Sequence, residues 1–77
     1  MKHFLDFVVR SLVDNPDDVQ ITEASKDGET VYRVSLHPAD VGLVIGKGGR
    51  TISAIRSVIN ASNKAGTHLS VEVVENT

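Results

Sequence analysis

Two cations stand among three glycines in the second half of this chain, in Gly46-Lys47-Gly48-Gly49-Arg50, with Val44-Ile45 before and Thr51-Ile52 after. A stretch so bare cannot build a core. Its use is to let another backbone come close, with Lys47 and Arg50 supplying charge at the contact. That chemistry points to phosphate. A Walker A loop needs G-x-x-x-x-G-K-[ST] after a strand. Here Gly42 and Gly46 are separated by three residues, Lys47 is followed by Gly48, and an apolar segment with helical character comes before. A dinucleotide fingerprint needs G-x-G-x-x-G, and counting from Gly46 its third glycine falls on Thr51. Both nucleotide-cofactor loops fail.

Other chemistry finds less support. His3, His37 and His68 are scattered without ligand spacing, and there is no Cys, so no metal site or disulfide is expected. Ser11, Ser53 and Ser57 lack a nucleophile elbow or a base nearby. Asp17-Asp18 reads as a turn rather than a catalytic carboxylate pair. Asn60-Ala61-Ser62 matches a glycosylation sequon but falls inside an expected helix. No catalytic constellation and no cofactor is implied, and a non-enzymatic chain is expected.

Seventy-seven residues make one small domain, expected to span 1–77. A chain of this size buries only about 60% of its unfolded surface, so self-association is an accessible route to stability. The N-terminal Met1-Lys2-His3-Phe4-Leu5-Asp6 interrupts its apolar run with an acid and shows no signal-peptide cleavage pattern. No apolar run approaches the roughly 20 residues of a membrane span, so a soluble cytoplasmic domain is expected. The net charge of −2 argues against a protein that coats nucleic acid through bulk charge. Any such binding must be local.

The elements that position the glycines follow from patterning. Phe4, Leu5, Val8, Val9 and Leu12 predict an amphipathic helix over residues 3–14, stopped at Asp14-Asn15-Pro16-Asp17 with Asn available for a left-handed cap. Residues 18–37 predict a β-hairpin about Asp27-Gly28, a type I′ signal. If Lys26 pairs with Glu29, then Val19, Ile21, Tyr32, Val34 and Leu36 share one face, while Gln20, Thr22, Arg33 and Ser35 share the other. Pro38 opens a short apolar helix of about two turns through Val41, Leu43, Val44 and Ile45. After the glycines, residues 51–65 predict a long helix with Ile52, Ile55, Val58, Ile59 and Ser62 inside and Arg56, Asn60 and Lys64 outside, stopped at Gly66. Leu69, Val71 and Val73 then alternate with Ser70, Glu72 and Val74 as a strand, and residues 75–77 fray. The last strand follows two helices and so can lie parallel to the second. The fold class is α+β: a two-layer sandwich in which a three-stranded mixed sheet carries three helices on one face.

In that frame Gly46-Lys47-Gly48-Gly49 is a G-x-x-G loop between two helices, the arrangement with which KH domains clamp the backbone of about four single-stranded nucleotides. Helix N–H groups after the loop add positive potential. The run from Val41 to Arg56 resembles the KH signature, and the element order resembles the type II (bacterial) KH fold. At this length, with Ser11-Leu12-Val13-Asp14-Asn15-Pro16 after the first helix, the whole chain closely resembles the KhpA family of small bacterial single-KH RNA-binding proteins. The resemblance implies a groove walled by the short helix, the loop, the long helix and the sheet edge. Single-stranded RNA would meet Ile45, Gly46, Lys47, Gly48, Gly49, Arg50, Thr51, Ile52 and Ile55, the cations on phosphates and the isoleucines as an apolar floor that also serves the core. It further implies a homodimer, a complex with a larger KH- and R3H-containing partner (KhpB), and RNA-chaperone or post-transcriptional work linked to cell-wall homeostasis and cell length. The competing expectation is a protein-interaction subunit whose partner holds most of the RNA. Aromatic residues are scarce and Tyr32 faces the core, which argues against stacking platforms of the RRM or OB kind.

Overall fold

The structure, a computed structural model, describes residues 1–63 and 68–76. Its elements are α1 (Lys2–Leu12), β1 (Gln20–Lys26), β2 (Glu29–Leu36), α2 (Val41–Ile45), α3 (Arg50–Ser62) and β3 (His68–Glu75). Short 3₁₀ turns occupy Pro16–Asp18 and Pro38–Asp40, and a kinked turn, non-helical at Gly48, occupies Lys47–Gly49. The α+β order and the mixed sheet are those expected, with β2 in the centre, β1 antiparallel to it and β3 parallel. The expected last helical turn at Lys64 and Ala65, the stop at Gly66 and the frayed Thr77 lie outside the described residues.

The hairpin register is the one the turn dictates. Lys26 pairs with Glu29, Glu23 with Tyr32 and Ile21 with Val34. Asp27 and Gly28 both take positive φ, 54° and 78°, as a type I′ turn requires. Ile21, Tyr32, Val34 and Leu36 are buried, and so is Val19 just ahead of β1. On the other face Arg33 pairs with Glu72 at 3.4 Å, exposed to solvent. β3 adds Leu69 and Val71 to the core. Glu75 still belongs to β3, and Asn76 is tied by its N–H to Leu36 O at 2.8 Å and by its side chain to Asp18 O at 2.7 Å. The expected fraying at Glu75 and Asn76 is therefore corrected: the central strand still offers a carbonyl there.

The helices depart from expectation in instructive ways. α1 ends at Leu12, not residue 14, and Val13 is extended (φ −100°, ψ 159°) with no left-handed cap. The cause is a competing acceptor. The N–H groups of Asp14 and Asn15 go to the carboxylate of Asp40, at 3.3 and 2.9 Å, instead of back into the helix. Only Leu5 and Val9 of α1 are fully buried, whereas Phe4 and Leu12 remain 44% and 37% exposed, so the core-facing stripe is narrower than their spacing suggests. α2 spans only five residues, shorter than the expected two turns, because Pro38–Asp40 forms a separate 3₁₀ turn ahead of it. α3 buries Ile52, Ile55 and Ile59 but leaves Val58 47% exposed. A fully buried Leu or Ile contributes roughly 1.5–3 kcal/mol, so Leu5, Leu36 and Ile59 beneath the helices account for much of what holds the layers together.

Candidate nucleic-acid interface

The glycines differ in what they do. Gly46 ends α2 with φ 76° and ψ 171°, its N–H returning to Gly42 O at 2.9 Å. A Cβ there would run into Thr51 Oγ1 and lie 2.6 Å from Thr51 Cβ and 2.9 Å from its backbone nitrogen. Gly46 is thus required by close packing onto the first turn of α3. Gly48 and Gly49 have φ of 65° and 77°, yet a Cβ on either would meet nothing within 4 Å. They serve backbone shape and leave the outer surface of the turn bare. The stretch expected as a loop is a tight turn closed by Gly49 N–H on Gly46 O at 3.1 Å, with Gly48 and Gly49 both left-handed and not helical.

Lys47 and Arg50 are exposed, and neither forms an ion pair among the described residues. No side chain caps the N-terminus of α3, and its first turn carries no acid. The N–H groups of Gly49 and Arg50 are taken by Gly46 O and Lys47 O, so what the start of this 13-residue helix adds beside the two cations is the positive end of its dipole. An anion approaching Gly48 and Gly49 meets two positive side chains, the positive end of α3 and no side-chain barrier.

The nine expected contact residues separate into groups. Gly46 to Arg50 form the turn, in which Lys47, Gly48 and Arg50 are exposed and Gly46 and Gly49 half-buried; Thr51 lies half-buried beneath Gly46, and Ile45 is half-buried against the core. Ile52 and Ile55 are core residues, 5% and 7% exposed. Ile55 reaches the surface in a groove between α1 and α3, with Phe4, Val8, Ala54 and Val58, rather than at the turn.

Three contributors were not legible beforehand. Asp40 is 1% exposed and binds the Asp14 and Asn15 backbone as well as Asn15 Nδ2 at 3.1 Å. Burial pushes its pKa upward, but hydrogen bonds from the Asn15 side chain and backbone and from Asp14, with the nearby His37, outweigh it and hold the carboxyl below its ordinary value of 3.8. This anchors the start of α2, whose far end is Gly46. Arg56 and Asn60, expected on a solvated face, instead hold the outer edge of β3. Arg56 Nη2 donates to Val71 O at 2.9 Å, while Asn60 donates to Leu69 O at 3.0 Å and accepts from Leu69 N–H at 3.1 Å. Gly49, Ser53, Arg56 and Asn60 fall on one side of α3 by its 3.6-residue period, so this edge of the helix leads from the glycine turn to β3. Tyr32 is also part of the frame: burial first, then the charge and hydrogen bond of Glu23, raise its phenol pKa above 10.0. No described cluster of three His, Cys, Asp or Glu could hold a metal, and no described helix is long and apolar enough to cross a membrane.

Comparison with known proteins bears on the same residues. The family model described as KhpA/KhpB, KH domain, matches residues 2–73. A protein of Oceanobacillus iheyensis named RNA-binding protein KhpA is 44% identical over 66 residues, covering 86% of this chain and 88% of its own length. Proteins of the same name from Chlamydia pneumoniae and Streptomyces coelicolor are each 37% identical, with 97% of this chain aligned and 97% and 95% of their own lengths covered. No solved structure matches the chain. The family match runs from the first residue of α1, through both helices that flank the glycine turn, into β3. The chain belongs to the KhpA/KhpB family of KH domains.

Proposed function

We propose that this chain binds single-stranded RNA, with the Gly46–Gly49 turn gripping the phosphate backbone and the edge of α3 toward β3 receiving the nucleotides that follow. The observation that carries the reading is the bare turn at an uncapped helix N-terminus, flanked by the unpaired Lys47 and Arg50. The relatives' name, RNA-binding protein KhpA, supports RNA as the polymer. Ile45, Thr51 and Ile52 support the turn from beneath, and Ile55 contributes through the core. The positive end of α3 and two flexible cations recognise a backbone rather than base identity, so sequence preference is low. RNA chaperoning or post-transcriptional regulation, with its link to cell-wall homeostasis and cell length, belongs to the same proposal and rests on the family resemblance.

The test is binding of a short unstructured RNA to the wild type and to a Lys47→Asp, Gly48→Asp double variant. Asp tolerates the positive φ of Gly48 better than most residues, so the fold is expected to survive, which circular dichroism checks. Wild type binds weakly, with log K falling by about 1.4 per decade of salt for two phosphate contacts on a single strand. The double variant does not bind. Equal binding by the two proteins overturns the reading.

A second reading is favoured by a separate surface. Phe4, Phe7 and Val58 are 44%, 70% and 47% exposed, and Phe4 and Val58 line the apolar groove between α1 and α3. Water-exposed phenylalanines on an 8.3 kDa chain are costly, and a second copy or a larger partner such as KhpB would cover them. On this reading the chain is an interaction subunit whose partner holds most of the RNA. Absence of RNA binding by the wild type alone favours it.

A further inference from the structure

The mixed sheet has two outer edges, and they are finished differently. In an antiparallel pair closed by a two-residue turn, Lys26 and Glu29 exchange both backbone bonds, and bonded pairs then alternate along the ladder. Gln20, Thr22 and Ala24 therefore bond inward to β2, while the N–H and C=O groups of Ile21, Glu23 and Ser25 point away from the sheet. Arg10 agrees with this alternation, since its Nη2 reaches the outward Val19 O at 3.3 Å. Beyond Val19, no described side chain bonds the outward backbone of β1. On β3, by contrast, Asn60 takes both outward groups of Leu69 and Arg56 takes the outward carbonyl of Val71.

Among the devices that blunt such strands, the β1 edge relies on charge, at Glu23. It has no proline, and its register with β2 is continuous over seven pairs with no bulge. Thr22, Glu23, Ala24 and Ser25 are exposed. Beside its first half runs a cleft lined by Lys2, His3 and Asp6 of α1 and by Gln20, Ile21 and Thr22. Asp6 is held by Arg10 at 2.9 Å, whereas Lys2 and His3 have no described partner. Consecutive strand residues from both faces line this cleft, which places it at the free edge.

We infer that the outer edge of β1 accepts an extended segment of another protein as a fourth strand, with a cation opposite Glu23 and an acid beside Lys2 and His3. A row of alternating main-chain donors and acceptors is matched by another extended backbone, and the side chains choose which one. A second copy of this chain is a poor occupant. The antiparallel register that aligns Ile21, Glu23 and Ser25 of both copies sets Glu23 against Glu23, and like charges directly opposite are destabilising. Glu23, whose carboxylate also meets the Tyr32 phenol across the β1–β2 ladder, thus discourages self-pairing and selects a basic residue. This surface is separate from the glycine turn, so its occupancy does not depend on RNA binding.

The experiment adds a capped synthetic heptapeptide to the full-length protein and follows its amide resonances and hydrogen exchange. The probe has Lys at its centre-left position and Glu two residues later, with threonine and valine elsewhere. Two controls carry either the Lys and Glu exchanged or N-methyl groups on the amides that would face β1. The expected result is shifted resonances and slowed exchange at Ile21, Glu23 and Ser25, weakening by about two- to fivefold for the exchanged peptide, and loss of the effect on N-methylation. The Glu23→Lys variant reverses the preference between the two charge patterns. Binding that survives N-methylation, or no effect at β1 with either charge pattern, overturns the proposal. Shifts at the β1 edge that grow with protein concentration alone also overturn it, since the occupant would then be a second copy.

Discussion

Glycines that look equivalent in the sequence are expected to respond unequally to the same methyl group. Gly46→Ala combines positive φ with a collision against Thr51, a cost of about 2–4 kcal/mol. Gly48→Ala meets open space and carries only the conformational penalty, about 1–2 kcal/mol. Urea unfolding of both variants checks the order, and equal losses would refute the packing role of Gly46. Asp40 gives a second prediction at this scale. Its folded pKa is depressed, so at low pH the unfolded chain binds the extra proton and stability rises with pH through that interval. The contribution is complete above the unfolded value near 3.8 and is lost as pH falls through the folded value. Asp40→Asn is expected to flatten the acid limb of the stability profile and to lower stability at neutral pH. The exposed cations Lys47 and Arg50 on the glycine turn were legible from residue types and spacing. The anchoring by Asp40 was not, because its partners lie across a chain separation that no local pattern encodes.

At the scale of elements, strands were read better than helices. A two-residue turn with positive φ at both positions fixes strand register by itself, and the alternation of Val, Ile and Tyr then confirms which face is inside. Helical periodicity fixes a face but not its width. Phe4 and Val58 have the spacing of buried residues, yet each sits at the margin of its stripe, where the neighbouring helix does not cover it. Arg56 and Asn60 were read as a solvated outer face for a related reason: long polar side chains there can reach over to an adjacent strand edge. Asn60→Ala removes both of its bonds to Leu69 and is expected to cost about 1–2 kcal/mol. The Leu69 amide should then exchange faster with solvent while the amides of the β1–β2 ladder keep their protection. Uniform acceleration across the sheet would mean that the clasp supports the whole fold rather than this edge.

For the whole molecule, charge and apolar surface lie in different places. Asp17, Asp18 and Glu75 cluster around Gln20, Ser35 and Asn76, the unpaired Lys47 and Arg50 flank the glycine turn, and the apolar groove lies between α1 and α3. On the proposed reading, an acidic body whose described glycine turn carries two cations without ion-pair partners is expected to bind RNA at that turn. A lone weak site gains most when two copies act together, because the second contact becomes intramolecular. Val58→Asp tests this arrangement. Val58 is half exposed, so the monomer should lose little stability, within about 0.5 kcal/mol. If α1 and α3 form the self-association face, sedimentation shifts to monomer and RNA affinity falls although the glycine turn is untouched. Unchanged sedimentation would assign the phenylalanines to some other role.

The central position of β2 also sets an order of assembly. Its antiparallel neighbour arrives through a two-residue turn and can close within about 1–10 μs. Its parallel neighbour arrives only after α2, the glycine turn and α3 have been laid across the sheet, a non-local closure that is slower. Arg56 and Asn60 can fasten α3 only once Leu69 and Val71 are present. Val71→Ala is therefore expected to speed unfolding while leaving the refolding rate nearly unchanged, as stopped-flow measurements would reveal. During synthesis the hairpin can form while the glycine turn still lacks its support from α3, so the surface proposed to meet RNA would mature after the first two strands and before the sheet is complete.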